Sequence, residues 1–486
     1  MIQAILAFFV ATISVAYFTN PFSKFTIIQL PYRIHLRDLT HTIMNRNHKL
    51  TVRSNWFWRL FAWYQCGIYI LSTRYLHQAT SSSSTVPDII ADIHQLRFDP
   101  NRLLLISGDH FNGLFVRNLG IFYYPTLDAN IYTTKNDWRN RQEVYLQSLA
   151  FALGSFQKHP YLKTTIVSTG RYATTSINFY SYPSDSLYGM LYCLSTLLDK
   201  EKAGAELYST PKRRVDTIPA AKELLREYTP LLTQLYNQYH EMVFDTETSL
   251  IRTDIHLSGA KDITKRQSSF YDNVIYWKTT QLAMSLGIIP KSKNRLHAIK
   301  QTILATFWLE KPGYFVEDLS PESIKEQLYS SDWLIVLSTG FLNIANTKER
   351  RYYQRSLAYI NKHNIARPFA IKYQNETRAH RQFLAVRIAV ASYGGNSIWS
   401  FWGMEFIKVN LLLSKYTGQK SYVKEADFHI KRYKQNIIRF KGFPEVYNEK
   451  GEMLQTLLYK SICMTGWVIG FEQVLAMRNA LSEAKD

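Results

Sequence analysis

The chain has little cysteine. Of its 486 residues only Cys66, Cys193 and Cys463 are cysteines, and they are scattered. Three isolated thiols build neither a disulfide framework nor a metal cluster, and they fit a reducing compartment. No metal site and no cofactor are expected. Nucleic-acid signatures are missing too. Neither zinc-finger spacing nor an RNP-type aromatic motif accompanies the basic residues, so no nucleic-acid partner is expected. Acid is scarce near the N-terminus: between Pro21 and Gln78 there are eight basic residues and one acid, Asp38. Low complexity is confined to Ala79–Asp88, which reads ATSSSSTVPD. Strand signals are few and short.

What is present begins with charge. The formal net charge is +20 and the pI is about 9.6. Such a balance suits anionic partners, and without a nucleic-acid motif an anionic membrane surface is preferred. Met1 is followed by Ile2–Phe18, almost free of polar residues. That is the lower limit for a spanning helix. No Lys or Arg precedes the run and no small-residue cleavage site follows it, so an uncleaved anchor is expected rather than a cleaved secretory signal. The basic flank puts the following domain on the cytoplasmic side; with a cleaved signal it would be secreted or extracytoplasmic. Asn55–Leu76 is aromatic and apolar, with Arg59 inside it. A buried arginine is costly in a membrane. The segment therefore reads as an interfacial amphipathic helix or as a helix docked on the main domain. The organisation expected is an anchor at 1–20, a basic aromatic juxtamembrane segment at 21–78, a Ser-rich linker at 79–88 and one large domain at 89–486.

Hydrophobic residues make up 46% of the chain and aromatic ones 14%, enough for a large core. From Arg141–Phe156 through Ala220–Tyr239, Ser397–Leu413 and Tyr422–Ile438 to Leu457–Ala480, apolar residues recur at i, i+3, i+4 and i+7. This predicts an all-α domain of paired helices with its function on the connecting loops. Most of the 33 Tyr and 10 Trp are packing residues. A minority would suit the CH-rich faces of sugars.

The segment His256–Trp277, HLSGAKDITKRQSSFYDNVIYW, holds two carboxylates, Asp262 and Asp272, ahead of an apolar helix. Paired carboxylates on either side of a bond are the machinery of glycoside cleavage. Asp272 also reads as a plain helix cap.

Taken in order, the loops resemble those of six-hairpin (α/α)6-barrel glycosidases. The type is the amylo-α-1,6-glucosidase (glycogen-debranching) one, with its trehalase and processing α-glucosidase relatives. ISGDHFNGLFVRNL at 106–119 resembles that family's GRDTFIALRGL. SDSLYGMLYCLSTL at 184–197 resembles DATLWFIYAL. Within 256–277, Thr264-Lys265-Arg266 stand for TPR, Asp272 for the Glu of VEIN, and Trp277 for the helix Trp. SDWLIVLS at 331–338 resembles RPNQLFALS, and GNSIWSFWGMEFI at 395–407 resembles the GTVWPW helix start. Phe443–Gly470 resembles the family's last block. The pieces are collinear over about residues 110–470. The sequence departs from the family in having Ala260-Lys261, not Trp-Met, before Asp262, and in lacking Arg before Asp109.

The resemblance implies a membrane-anchored (α/α)6-barrel glycoside hydrolase that cleaves an α-glucosidic or related bond with inversion. Asp262 would be the general acid, with Asp272 its rival, and Glu445 the general base. Asp109, Arg117, Asp185, Arg266, Asp332, Trp399 and Trp402 would contact the carbohydrate. Two other outcomes stay open. A sugar epimerase on the same barrel would use His110 and His256. A glycan-binding or scaffold protein would keep the barrel without turnover. A lanthionine-cyclase-like barrel is excluded, because neither Cys193 nor Cys463 has a neighbouring His to share zinc.

Overall fold

The computed structural model describes residues 47–76, 78–96, 98–99, 104–105, 108, 113–120, 131–134, 137–139, 141–170, 173–178, 182–199 and 218–483. The expected anchor, residues 1–20, lies outside them. Among the described residues no helix is long and apolar enough to cross a membrane.

The apolar runs become helices, and the helices come in pairs. After α1 (Trp56–Tyr75), α2 (Val86–Leu96) is followed by a 3-10 turn at Val116–Leu119. Next, α3 (Arg141–Lys158) pairs with α4 (Ser186–Leu198), and α5 (Ile218–Val243) with α6 (Phe270–Ser285). Then α7 (Lys293–Phe307) precedes a 3-10 turn at Ser331–Leu334 that runs into α8 (Ile335–Thr339). The helix α9 (Thr347–Lys362) is followed by the short α10 (Leu384–Val390) and then α11 (Ser400–Thr417). Last, α12 (Lys420–Phe440) pairs with α13 (Val468–Glu483).

The second members of the pairs touch one another in order: the Val116–Leu119 turn on α4, α4 on α6, α6 on α8, α8 on α11, and α11 on α13. Gly108 closes the circle, since a Cβ there would lie 3.2 Å from the Ile462 side chain, just ahead of α13. The chain thus forms a double ring of paired elements, an (α/α)6-type arrangement. Sequence decides which helix is inside. α11 is buried nearly all round, whereas α5 buries one stripe, including Leu224, Tyr228, Leu232, Leu235 and Tyr239. A helix apolar on every side belongs in the interior, and one with a single stripe belongs on the surface.

One feature departs from the all-α expectation. A small sheet, β1 (Thr51–Val52), β2 (Gly113–Phe115), β3 (Thr165–Gly170) and β4 (Ala173–Ile177), is ordered β1-β4-β3-β2. β1 runs parallel to β4, and the other pairs are antiparallel. Its strands are short and rich in hydroxyl residues, so alternation does not stand out. The α1 helix docks on this sheet, burying Ala62 and Cys66 against Val167 and Ile177. Ahead of α2, Ser81 is buried, and both Ser81 and Ser83 donate to Asp92.

Candidate active site

The N-terminal ends of the inner helices meet at one end of the ring. Asp185 is the N-cap residue of α4. Ser269 caps α6, its hydroxyl accepting the Asp272 N–H at 3.0 Å. Asp332 sits in the 3-10 turn before α8, and Trp399 precedes α11. Helix N-termini carry partial positive charge and free N–H groups, so carboxylates gather there at low cost. Glu445 arrives on a different element. Val446–Tyr447 pairs antiparallel with Ile398–Trp399. The Glu445 carbonyl takes the Ser400 N–H at 3.0 Å and the Ser400 hydroxyl at 2.9 Å.

Arg117 is the hub. Its guanidinium donates to Asp262 at 3.0 Å and to the Gly259 carbonyl at 3.0 Å, and it stands 4.0 Å from Asp185. Asp185 is fully buried, accepts from the Tyr271 hydroxyl at 3.1 Å, and leaves Oδ1 without a partner. Burial pushes its carboxyl up to about 7, against the pull of Arg117.

Glu445 is also buried, and the Tyr393 hydroxyl donates to it at 3.1 Å. Burial raises its carboxyl to about 7. Hydrogen bonds from Tyr393 and Trp467 and the charge of Arg117 work the other way, while Asp262 adds to the rise. Glu445, Arg117 and Asp262 are therefore within electrostatic reach of one another.

Beside this centre lie two further networks. Arg266 donates to Asp332 at 2.6 Å, and the Tyr373 hydroxyl donates to the same carboxylate at 3.4 Å. The Arg266 Nε and Nη2 are buried and without partners. Asp272 is enclosed by the Ser184 and Ser269 hydroxyls. It lies so close beneath Gly259 that a Cβ there would be 2.7 Å from its carboxylate. Burial raises its pKa as well. Behind them, Glu317 takes Lys261 at 2.5 Å, Arg381 at 2.7 Å and Gln374 at 2.7 Å. Burial alone would raise the Glu317 carboxyl. Lys261 and Arg381 reverse this and hold it below the ordinary carboxylate range.

Arg117, Asp185, Asp262, Arg266, Asp272, Asp332 and Glu445 thus come together at one end of the ring. Asp109 and His110 lie outside the described residues. Trp399 donates its indole N–H to the Tyr393 carbonyl at 2.6 Å and packs edge-on against the Tyr373 and Tyr393 rings. Trp402 is buried between Tyr271 and Tyr373. His256 is exposed, its Nδ1 on the Arg266 carbonyl at 2.8 Å. Among the described residues no group of three or more His, Cys, Asp or Glu is arranged to hold a metal.

Tyr393 was not singled out by sequence. Its one signal is the Gly394-Gly395 pair that follows. A Cβ on Gly394 would fall 2.9 Å from Ile263, so this loop lies directly on the Asp262 loop. The Glu317–Lys261–Arg381 network gives no sequence signal, because its members pair across distant loops.

No family model matches the chain, and no curated protein matches it. Solved structures resemble it in outline. A rhamnosidase from Klebsiella oxytoca with rhamnose bound aligns at 11% identity and a TM-score of 0.49, over 81% of this chain and 64% of that one. A GH63 mannosylglycerate hydrolase from Thermus thermophilus aligns at 10% identity and 0.49, over 81% and 99%. A cellobiose 2-epimerase from Bacillus thermoamylovorans aligns at 12% identity and 0.48, over 81% and 96%. Identities and scores this low transfer no residue's role to this chain.

Proposed function

We propose that this protein hydrolyses a glycosidic bond, α-glucosidic or related, with inversion, using Glu445 and Asp262 as its two carboxyls. The observation that carries the proposal is their environments. Two carboxyls on separate loops sit within electrostatic reach, one buried and holding its proton near neutrality, the other ion-paired with Arg117. Unlike environments suit two carboxyls to different roles. An inverting pair stands ~6.5–9.5 Å apart with a water between. On this reading Glu445 is the acid and Asp262 the base, the reverse of the roles implied by resemblance. Arg117 already occupies the Asp262 carboxylate at 3.0 Å, which leaves the acid role to Glu445. Asp272, in the first turn of α6, accepts the Ser184 and Ser269 hydroxyls and so holds the Ser269 cap in place. The unpartnered Oδ1 of Asp185 and the unpartnered N–H groups of Arg266 are the kind of acceptor and donors that sugar hydroxyls satisfy.

The assignment fixes the sign of the pH response. The acid works only while protonated, so kcat/KM should fall as pH rises through about 7. The test is a pH profile on a panel of glucosides, trehalose, mannosides and oligosaccharides. A rate that climbs through that pH instead would make Glu445 the base.

One observation favours a second reading. Asp262 is occupied by Arg117 at 3.0 Å, as suits a glycan-binding protein that no longer turns over. Saccharide binding without hydrolysis across the panel would select it. The epimerase reading has less support, since one ring nitrogen of His256 is bonded to the Arg266 carbonyl at 2.8 Å.

We propose membrane attachment through residues 1–20, assisted by the basic segment 21–78, with the helical domain on the cytoplasmic side. Deleting residues 1–20 should move the protein toward the soluble fraction, and more so at high salt, because ions screen lysine and arginine from anionic lipid. Full retention on membranes at high salt would overturn it.

A further inference from the structure

The structure carries an apolar rim beside the candidate active site. Leu457 is 74% exposed, Ile388 66%, Leu384 60%, Tyr75 51% and Leu76 47%. They come from three separate segments that hydrogen bonds hold side by side. The Thr456 hydroxyl donates to the Ala389 carbonyl at 2.6 Å, joining the 456–461 turn to α10. Arg74 donates to the Thr456 carbonyl at 2.7 Å, and the Tyr75 hydroxyl donates to the Leu457 carbonyl. Gln78 reaches the Ser461 carbonyl at 2.7 Å.

The same segments position the site. Ile462, at the end of that turn, accepts the Glu445 N–H at 2.9 Å. Tyr459 packs edge-on against Tyr393, the donor to Glu445. At the other end of the rim, Phe383 N–H bonds the Ile263 carbonyl at 3.1 Å, one residue past Asp262.

Exposed leucine and isoleucine clustered from three segments mark an interaction surface. Charge says which kind. Residues 383–392 and 453–461 contain no acid, while Arg387 and Lys265 are exposed and Lys460 is partly so. The rim continues along α1, whose outer face presents Trp56, Phe57, Leu60 and Trp63 with Arg59 beside them. A helix of 20 residues is about 30 Å long. Aromatic and aliphatic side chains interleaved with arginine and lysine, without acid, fit the boundary of an anionic bilayer. The strongly basic chain adds to the attraction.

We infer that this rim sits on an anionic lipid surface and that the substrate is a glycan carried on a lipid in that surface. The substrate half of the inference rests on the hydrolase reading above; the lipid contact does not. With the rim seated in the headgroups, the Asp262, Tyr393 and Glu445 loops bonded to it are held next to the lipid surface. A sugar tethered to lipid is then delivered at high local concentration.

The test uses the full chain. Leu457→Cys is labelled with an environment-sensitive dye, the three native cysteines being buried. With phosphatidylcholine–phosphatidylserine vesicles the dye should shift to the blue and be quenched by brominated lipid. No shift, or a shift that depends on protein concentration without vesicles, overturns the lipid contact, the latter pointing to a second copy of the chain. The triple variant Leu384→Ser, Ile388→Ser, Leu457→Ser is then assayed on a vesicle-borne glucosyl lipid and on a soluble aryl glucoside. Hydrolysis of the lipid substrate should drop about tenfold or more, with the soluble one changed by less than about twofold. Equal losses on both substrates, or none on the lipid, overturn the substrate half. If the dye shifts and neither substrate is cleaved by the parent protein, the hydrolase reading and the substrate half fall together and the lipid contact stands.

Discussion

Glu445→Gln should abolish glycoside hydrolysis while the domain stays folded. General acid catalysis contributes roughly 10²–10⁴-fold, and an amide cannot give up a proton in this way. Asp262→Asn should lose activity on the same scale, because the attacking water loses its base. Stability separates this loss from unfolding. Burial raises the Glu445 carboxyl from the ordinary 4.5 to about 7, so the folded protein holds that proton more tightly than the unfolded chain does. The stability linked to this proton is fully present below about 4.5 and is lost as pH rises through about 7. Glutamine does not ionise and escapes that loss. At alkaline pH the Glu445→Gln unfolding midpoint should therefore equal or exceed that of the parent. Hydrolysis of an α-glucoside panel by both variants would refute the assignment. A variant that is inactive and also unfolded at alkaline pH would refute the account of why Glu445 is protonated.

Glu317→Gln should be the most damaging single change to the fold. The Lys261 and Glu317 side chains are both 0% exposed, and Arg381 is nearly so. Removing the carboxylate leaves Lys261 buried without its counter-charge. Breaking a buried pair from one side costs about 3–5 kcal/mol. Removing the cation as well leaves no stranded charge, so Glu317→Gln combined with Lys261→Met should recover much of the loss. Urea denaturation of the two variants measures this. A single variant within about 1 kcal/mol of the parent would show that water or rearrangement already compensates these charges.

Much of the ring was legible in the sequence, because helices announce themselves by periodicity. The run at 220–239 falls inside α5, and the one at 422–438 inside α12. Periodicity fails where an element is short. The stretch SDWLIVLS at 331–338 becomes a 3-10 turn and the start of a five-residue helix ended by Gly340 in the left-handed region, φ 66°. A glycine there costs no Cβ clash, so the chain stops turning early. The sheet escaped notice for a like reason. At the site, the resemblance of the loops implied roles for Arg117, Asp185, Asp262, Arg266, Asp332 and Glu445, which the fold gathers. It did not point to Tyr393, Glu317 or Arg381. Their positions follow from loops crossing in space, and nothing local encodes such a crossing. Nor could sequence order show that Arg117 would sit on Asp262.

The way the ring closes bears on how the protein is made. Gly108 backs onto Ile462, and Arg74 is bonded to Thr456, 382 residues further on. Glu445 also lies in the last pair to be synthesised, between α12 and α13. Earlier pairs can form as they leave the ribosome, since each is built from neighbours in the chain. The circle cannot close until the final helix has emerged. Until then the nascent protein is an open arc, its half-finished charge networks facing water and its inner helices lacking one neighbour. Such an arc is a target for chaperones, and a chain cut short before residue 445 would lose Glu445 along with the closure at Ile462.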